Sequence, residues 1–371
     1  MKKVCIICHT DIQNDPRVYR QVSHFAKTCN VTVVGNGPQI TIPNVTMFPW
    51  KPCYRTAANL FEKALYLFAL LFRVHTILVR RFSLKELPEL EAETFDYVIV
   101  NEINSLILGF LLAKGAPVHC DLHEYYLDKP ESFRQRLGLP YNTWLCRTYL
   151  PRCTSLSTVS QGLADAYEEL SGKKPVLVVN APSVQQLTVG AVAEHTINLV
   201  HHGYAEPNRQ LEKLIELMDL VDGRFTLTLM LTTDSPYRER LRLMAENRIN
   251  IIWGNPVPMR EICQTINRYD LGIILYHTER FNIKHSLPNK FFEFIQARLG
   301  VAIGPSVEME PLVRANDVGV VADDFSPQAL ASRLNALSKE DVMRFKQNAN
   351  AMAQIYSAES SMRVLQDALG L

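Results

Sequence analysis

Short runs of β-branched residues alternate with amphipathic stretches along this chain, and the alternation happens twice. Lys3–Cys8, Val31–Val34, Val45–Phe48, Tyr97–Val100, Pro117–Cys120, Ser157–Ser160 and Val176–Val179 read as strands, with helical patterns between most of them. Residues 181–196 lose any clear period. The alternation then restarts with strands at Ile197–His201, Thr226–Leu231, Ile249–Trp253, Leu271–Leu275, Val301–Ile303 and Val318–Val321. Strands separated by helices need crossover connections and so build parallel sheets. The predicted class is α/β, with two Rossmann-like doubly wound domains facing across a cleft and a helical C-terminal tail. The first domain spans 1–181, a linker 182–196, and the second domain 197–350. The last segment, 351–371, is expected to pack back on the first domain.

Hydrophobic residues make up 47% and charged residues 21%, which is a globular composition. A net charge of +1 argues against broad nucleic-acid binding and leaves a local basic patch open. The eight cysteines are scattered behind no signal peptide and are read as reduced thiols of a cytosolic protein. Cys5 and Cys8 form a C-x-x-C inside a strand pattern with no second ligand pair, so no metal site is expected there. No apolar run is long enough to span a bilayer. Ala57–Arg81 reads as one long helix in which apolar and aromatic residues stand beside basic ones. Two readings of it stay open: a helix lying in a membrane interface, or a core-packed helix with solvated charges.

Residues 281–304 read as loop, helix, loop and strand. Ser286 is expected to cap the helix, Pro288 to stand in its first turn, and Gly300 to close it. Such a helix start carries free N–H groups and partial positive charge, which suits phosphate. Lys290 adds a full charge, and Glu293 lies one turn on, placed for a ribose. The plainer reading is an amphipathic helix with a surface ion pair. Asp121, His123 and Glu124 follow a strand at the end where open parallel sheets gather ligands, although the acids also suit helix caps. His201, His202 and His277 are read as structural. Gly35 and Gly37 make no dinucleotide fingerprint.

Taken together, Asn14-Asp15-Pro16-Arg17-Val18, Asp121-Leu122-His123-Glu124-Tyr125, Thr158-Val159-Ser160, Asn180, His202-Gly203 with Arg209 and Leu211, Tyr269-Asp270-Leu271-Gly272 and Ser286–Glu293 resemble the GT-B glycosyltransferases, closest to family 4, which build bacterial cell-surface polysaccharides such as capsule and lipopolysaccharide. The resemblance covers nearly the whole chain. It implies a retaining, metal-independent hexosyltransferase with no cofactor. The co-substrate would be a nucleotide sugar, UDP-linked in preference to GDP-linked, and the acceptor a glycan or lipid-linked glycan at the inner face of the cell membrane, where 57–81 would touch the bilayer. It implies catalytic roles for His123, Arg209 and Lys290. Donor-binding roles go to Gly203, Asn255, Val257, His285, Ser286, Leu287, Pro288, Asn289 and Glu293. Acceptor-side roles go to Asp15, Arg17, Asp121 and Glu124. Two positions depart from the family: His285 stands where many members have a second glutamate, and Tyr204 where many have an arginine. A sugar-nucleotide 2-epimerase and a non-catalytic nucleotide-binding scaffold are the alternatives.

Overall fold

Val4, Cys5, Ile6, Ile7 and Cys8 are all buried in the computed structural model, as a strand covered by helices on both faces requires. Side chains alternate between faces along a strand, so Cys5 and Cys8 point to opposite sides of the sheet and cannot share a metal. The structure describes residues 1–13, 15–50, 60–79, 87–276 and 279–371. Asn14, residues 57–59, Arg80, Arg81 and His277, which entered the expectations above, lie outside them.

The chain divides into two units, 1–178 with 362–371, and 179–361. Among the described residues of the first unit, seven strands form one sheet. They are β1 (Lys3–Asp11), β2 (Asn30–Asn36), β3 (Val45–Pro49), β4 (Tyr97–Asn101), β5 (Val118–Leu122), β6 (Ser155–Thr158) and β7 (Val176–Leu177). The order is β3-β2-β1-β4-β5-β6-β7 and every pairing is parallel. Winding reverses between β1 and β4, and the loops leaving their carboxyl ends diverge there. Asp121 lies inside β5, not beyond it, because Asn101 and Ser157 pair with it on either side. The helix Pro16–Phe25 starts at Asp15, whose carboxylate accepts from the N–H groups of Arg17 and Val18.

The second unit repeats the plan. Its strands are β8 (Ile197–Gly203), β9 (Phe225–Leu231), β10 (Ile251–Trp253), β11 (Leu271–Ile274), β12 (Gly300–Ile303) and β13 (Gly319–Val321). Their order is β10-β9-β8-β11-β12-β13, again wholly parallel, with the reversal between β8 and β11. Strand β10 begins later than expected, and Ile249 is fully exposed. The helix Lys339–Ile355 is pinned to this sheet by a buried ion pair, Lys346 Nζ to Asp270 Oδ1 at 3.0 Å. The same carboxylate accepts from the Asn198 backbone at 2.9 Å. Removing one member of such a pair leaves a charge stranded out of water, at a cost of about 3–5 kcal/mol. The tail is helical to the end, closing with Ala358–Leu369. Met362, Leu365 and Leu369 join the first unit's core beside Val4, Val22 and Phe25.

Two expected helices differ, and one further helix carries a proline. The described part of 57–81 is two helices, Leu60–Leu71 and His75–Val79, parted where Arg73 takes φ 56. Phe133–Tyr149 is a single helix carrying Pro140 inside it, where a proline reads as a breaker; the Ser132–Gln135 capping box secures its start. In the 281–304 stretch a short helix, Phe281–Lys284, stands where a loop is expected, and the next helix covers Asn289–Gln296, with extended Pro288 at its N-cap. The Ser286 hydroxyl turns back to the Ile283 carbonyl at 2.8 Å instead of capping, and Gly300 opens β12 instead of closing the helix.

Gly272 shows how tightly that helix is seated. A β-carbon built there would lie 2.1 Å from the Phe294 ring. Gly272→Ala must displace the ring or the strand, and about 1–3 kcal/mol of stability is expected to go. A urea midpoint lowered at unchanged slope checks this; an unmoved midpoint refutes the contact.

Candidate functional site

In the first unit, charge concentrates at the carboxyl ends of β4 and β5. Arg17 is 3% exposed and Asp121 not at all. They form a bidentate pair, Nε to Oδ2 at 2.7 Å and Nη2 to Oδ1 at 2.6 Å, and Arg17 Nη1 donates to the Val178 carbonyl at 2.6 Å. Asp121 also accepts from Gln21 at 2.6 Å and from the Ser157 hydroxyl at 2.5 Å. Burial disfavours its charge, but Arg17 and then His123 outweigh burial and hold the carboxyl well below its usual range. Arg17 and Asp121, expected to line the acceptor side, are thus spent on one another inside the fold. Asp15 is engaged in its helix cap and with the Thr10 hydroxyl at 2.6 Å. Glu124 is exposed, and its carbonyl takes the Tyr167 hydroxyl at 2.6 Å.

His123 stands between two carboxylates. Nδ1 is 3.0 Å from Glu102 Oε1 and Nε2 is 3.2 Å from Asp121 Oδ2. Burial opposes its charge, yet Glu102 and Asp121 together push the imidazole up to about 9. It is therefore a cation at neutral pH with both nitrogens occupied as donors. A general-base role does not suit it; a fixed positive charge does.

Glu102 was not among the expected residues. Its backbone sits at φ 70, ψ 155, a region that side chains rarely occupy. The carboxylate also accepts from the His123 backbone N–H at 3.1 Å and lies beside the Tyr126 hydroxyl. The available signal was its place directly after β4, the same strand-end logic that singled out His123.

In the second unit, Gly203, Arg209, Lys290 and Glu293 gather where β8 and β11 part. Gly203 has φ +112, and Lys290 Nζ is 3.7 Å from where a side chain on it would begin. Lys290 Nζ lies 3.0 Å from His201 Nε2. Burial, then the charge of Arg209, hold the ammonium down to about 7, with Glu293 opposing them. The Arg209 guanidinium lies over the Tyr276 ring at 4.9 Å and makes no ion pair among the described residues. The Glu212 carboxylate, a plausible surface partner for it, goes to Tyr237 and Arg240 instead. Tyr276 is 6% exposed, and its hydroxyl has no hydrogen-bond partner among the described residues. Glu293 is 8% exposed, with Oε2 3.4 Å from His202 Nε2. Burial and Lys290 lower His202 to about 3, so this histidine is neutral.

The remaining donor-side expectations are placed nearby or around the same helix start. The Asn289 side chain takes a 2.7 Å bond from Asn180. Leu287 and Val257 pack against the core, while Asn255 is exposed after β10. His285 Nδ1 is 2.9 Å from Glu308 Oε1, and Glu308 is 8% exposed. A carboxylate thus reaches the His285 position from a separate loop. Ser286 joins Tyr276, Ile283, Ser306 and Phe325 around a small hollow. Among the described residues no group of His, Cys, Asp and Glu is arranged to hold a metal.

The raised imidazole carries a pH signature. Its contribution to stability is complete below about 6.5 and is lost as pH rises through about 9. Lys290 runs the other way: its depressed value makes the unfolded chain bind more protons between about 7 and 10.5, so that contribution grows with pH. Glu102→Gln separates them. The His123 titration should fall by roughly 1–3 pH units, and the alkaline loss of stability should shrink. NMR of the imidazole Cε1–H reads the first and urea midpoints at pH 6 and 9 read the second. An imidazole titration that stays put would remove Glu102 from this role.

No family model matches the chain, and no curated protein matches its sequence. Solved structures do match it in fold. HepE from Anabaena, in complex with UDP, superposes with a TM-score of 0.70 at 14% identity over all of both chains. TarM superposes at 0.69 with 10% identity over 100% of this chain and 99% of TarM. The α,α-trehalose 6-phosphate synthase of Burkholderia multivorans superposes at 0.67 with 12% identity over 100% and 96%. At these identities the likeness is one of architecture, and the chain has the GT-B fold.

Proposed function

We propose that this chain is a glycosyltransferase that moves a sugar, with retention and without a metal, from a UDP-sugar to a glycan or lipid-linked glycan in cell-surface polysaccharide synthesis. The observation that carries this reading is the convergence of Arg209 and Lys290 on the φ-positive turn at Gly203, with Glu293 one helical turn beyond the lysine. The turn lets a backbone approach phosphates closely, and two cations answer the charge that develops on a departing diphosphate. Glu293 would take the ribose hydroxyls. Asn255 and Val257 would border the base. Residues 285–289 would meet the donor sugar, and His285 would offer Nε2 while Glu308 holds Nδ1. Structures of HepE with UDP-glucose support the donor class.

In the first unit, His123 would present a fixed positive charge to the reacting sugar, held from beneath by Arg17, Asp121 and Glu102. Asp15 and Glu124 would border the acceptor. The diphosphate itself would take the acceptor's proton, so the protein contributes position and charge rather than a nucleophile. The domain limits and linker set out from the sequence belong to the same proposal.

Membrane contact belongs to it as well. The Phe68 and Phe72 rings lie 4.5 Å apart, tilted, on the helix Leu60–Leu71 and the residue after it, and Leu67, Phe68, Leu71 and Phe72 are 46–65% exposed. No described helix is long and apolar enough to cross a membrane. A row of exposed apolar side chains on an otherwise folded unit suits the interface of a bilayer holding the acceptor.

Glu293→Ala and Arg209→Ala should each weaken UDP binding by about 10- to 100-fold, the loss of one charge-assisted contact, with the fold intact. Calorimetry against UDP, GDP and ADP tests this, and unchanged binding of every diphosphate would sink the site. Turnover of a sugar-nucleotide panel separates transfer, which releases the diphosphate, from epimerisation, which interconverts sugars, and from scaffolding, which binds without turnover. Phe68→Ser with Phe72→Ser should abolish flotation with anionic vesicles; equal flotation rejects the membrane contact.

A further inference from the structure

His201 has no part in the reading above. It is fully buried in β8, two residues before Gly203. Its Nδ1 lies 2.8 Å from the Ile273 carbonyl on the neighbouring strand β11. A carbonyl only accepts, so Nδ1 carries the proton and Nε2 presents a lone pair. Lys290 Nζ, 3.0 Å from that nitrogen, only donates to it. The bonds therefore run in one direction, from lysine to imidazole to carbonyl. They tie the first turn of the helix Asn289–Gln296 to the two strands between which the winding reverses. A lysine on a flexible four-carbon stem is otherwise a poorly aimed charge.

We propose that His201 is a positioning residue that holds Lys290 over the Gly203 turn, and that capture of a nucleoside diphosphate there takes up one proton at Lys290. The proposal rests on the diphosphate site described above. The titratable and charged groups facing the ammonium are His201, His202, Arg209 and Glu293. Both histidines are neutral: burial, then Lys290, hold His201 well below its usual range and His202 at about 3. Neither has a proton to pass on, and an arginine keeps its own. With the ammonium held to about 7 by burial and Arg209, the amine is mostly neutral at pH 8. Bound phosphate charge favours the ammonium, so the proton comes from solvent. No covalent bond other than N–H forms. The bond to His201 persists in both states, since an amine donates as an ammonium does.

The test is calorimetry of UDP binding to the full chain at pH 8 in two buffers of different ionisation enthalpy. A terminal phosphate, with a pKa of about 6, is already ionised there. Expected are an uptake approaching one proton and an affinity that falls up to about tenfold per pH unit between pH 7 and 9. Lys290→Met should weaken binding and remove both effects. His201→Leu should weaken binding about tenfold or more, and His201→Gln, which keeps an acceptor oxygen, should restore most of it. Buffer-independent heats, or a His201→Leu chain that binds as tightly as His201→Gln, overturn this inference and leave the diphosphate site standing. Absence of UDP binding by the unaltered chain overturns both. Should His201→Leu not fold, NMR of the lysine Cε–H₂ signals, assigned with Lys290→Met, decides the matter in the unaltered chain. A Lys290 that titrates in the ordinary lysine range overturns the proposal.

Discussion

Charge taken out of water at the carboxyl ends of parallel strands is the constraint around which each unit is built. Asp121 endures full burial because five donors reach it: Arg17 twice, Gln21, Ser157 and His123. A buried carboxylate with fewer would cost more than the fold returns. Those bonds join the helix Pro16–Phe25 to β5 and β6 and fix the ring of His123. The cluster closes electrically, with Arg17 and His123 against Asp121 and Glu102. The second unit is left open by the same measure. Among the described residues, Lys290 and Arg209 face one carboxylate, Glu293, and the lysine yields part of its charge. One cluster is finished by the protein; the other keeps more positive than negative charge among its described members, which is what the proposed diphosphate would answer.

Glycine and aromatic residues set where that open cluster can form. Phe294 rests against the bare backbone of Gly272, while Phe291, Phe292 and Ile295 are buried around the same helix. Most of the helix surface is thus committed to packing, and its first turn holds Lys290 near the Gly203 turn. The placement of residue 290 thus depends on a residue with no side chain in the preceding strand, β11.

The strand–helix alternation was legible because side-chain period is a local property. Gly203, Arg209, Lys290 and Glu293 were singled out because a helix start with a cation suits phosphate, and the fold brings these four together; their use for a phosphate belongs to the proposal. Element ends were less legible. Asp121 reads as post-strand because acids rarely lie inside buried strands, and only pairing with Asn101 and Ser157 keeps it there. Ser286 reads as a cap by type, but its hydroxyl finds a nearer carbonyl. Glu102 and Glu308 go unnamed, and His201 reads as merely structural, for one reason. Each acts through a partner distant in sequence: His123 is 21 residues away from Glu102, Lys290 is 89 from His201, and His285 is 23 from Glu308. Such pairs exist only once the sheet is assembled.

The backbone at Glu102 has a use beyond the site it serves. Its conformation costs about 1–3 kcal/mol, comparable with what its bonds to His123 return. Folding therefore has little stake in the glutamate. A library of substitutions at position 102 sorted for heat resistance would scarcely distinguish it from glycine. Under the proposed transfer, a second sorting for turnover would distinguish them, and the difference between the two would measure what this residue does beyond folding.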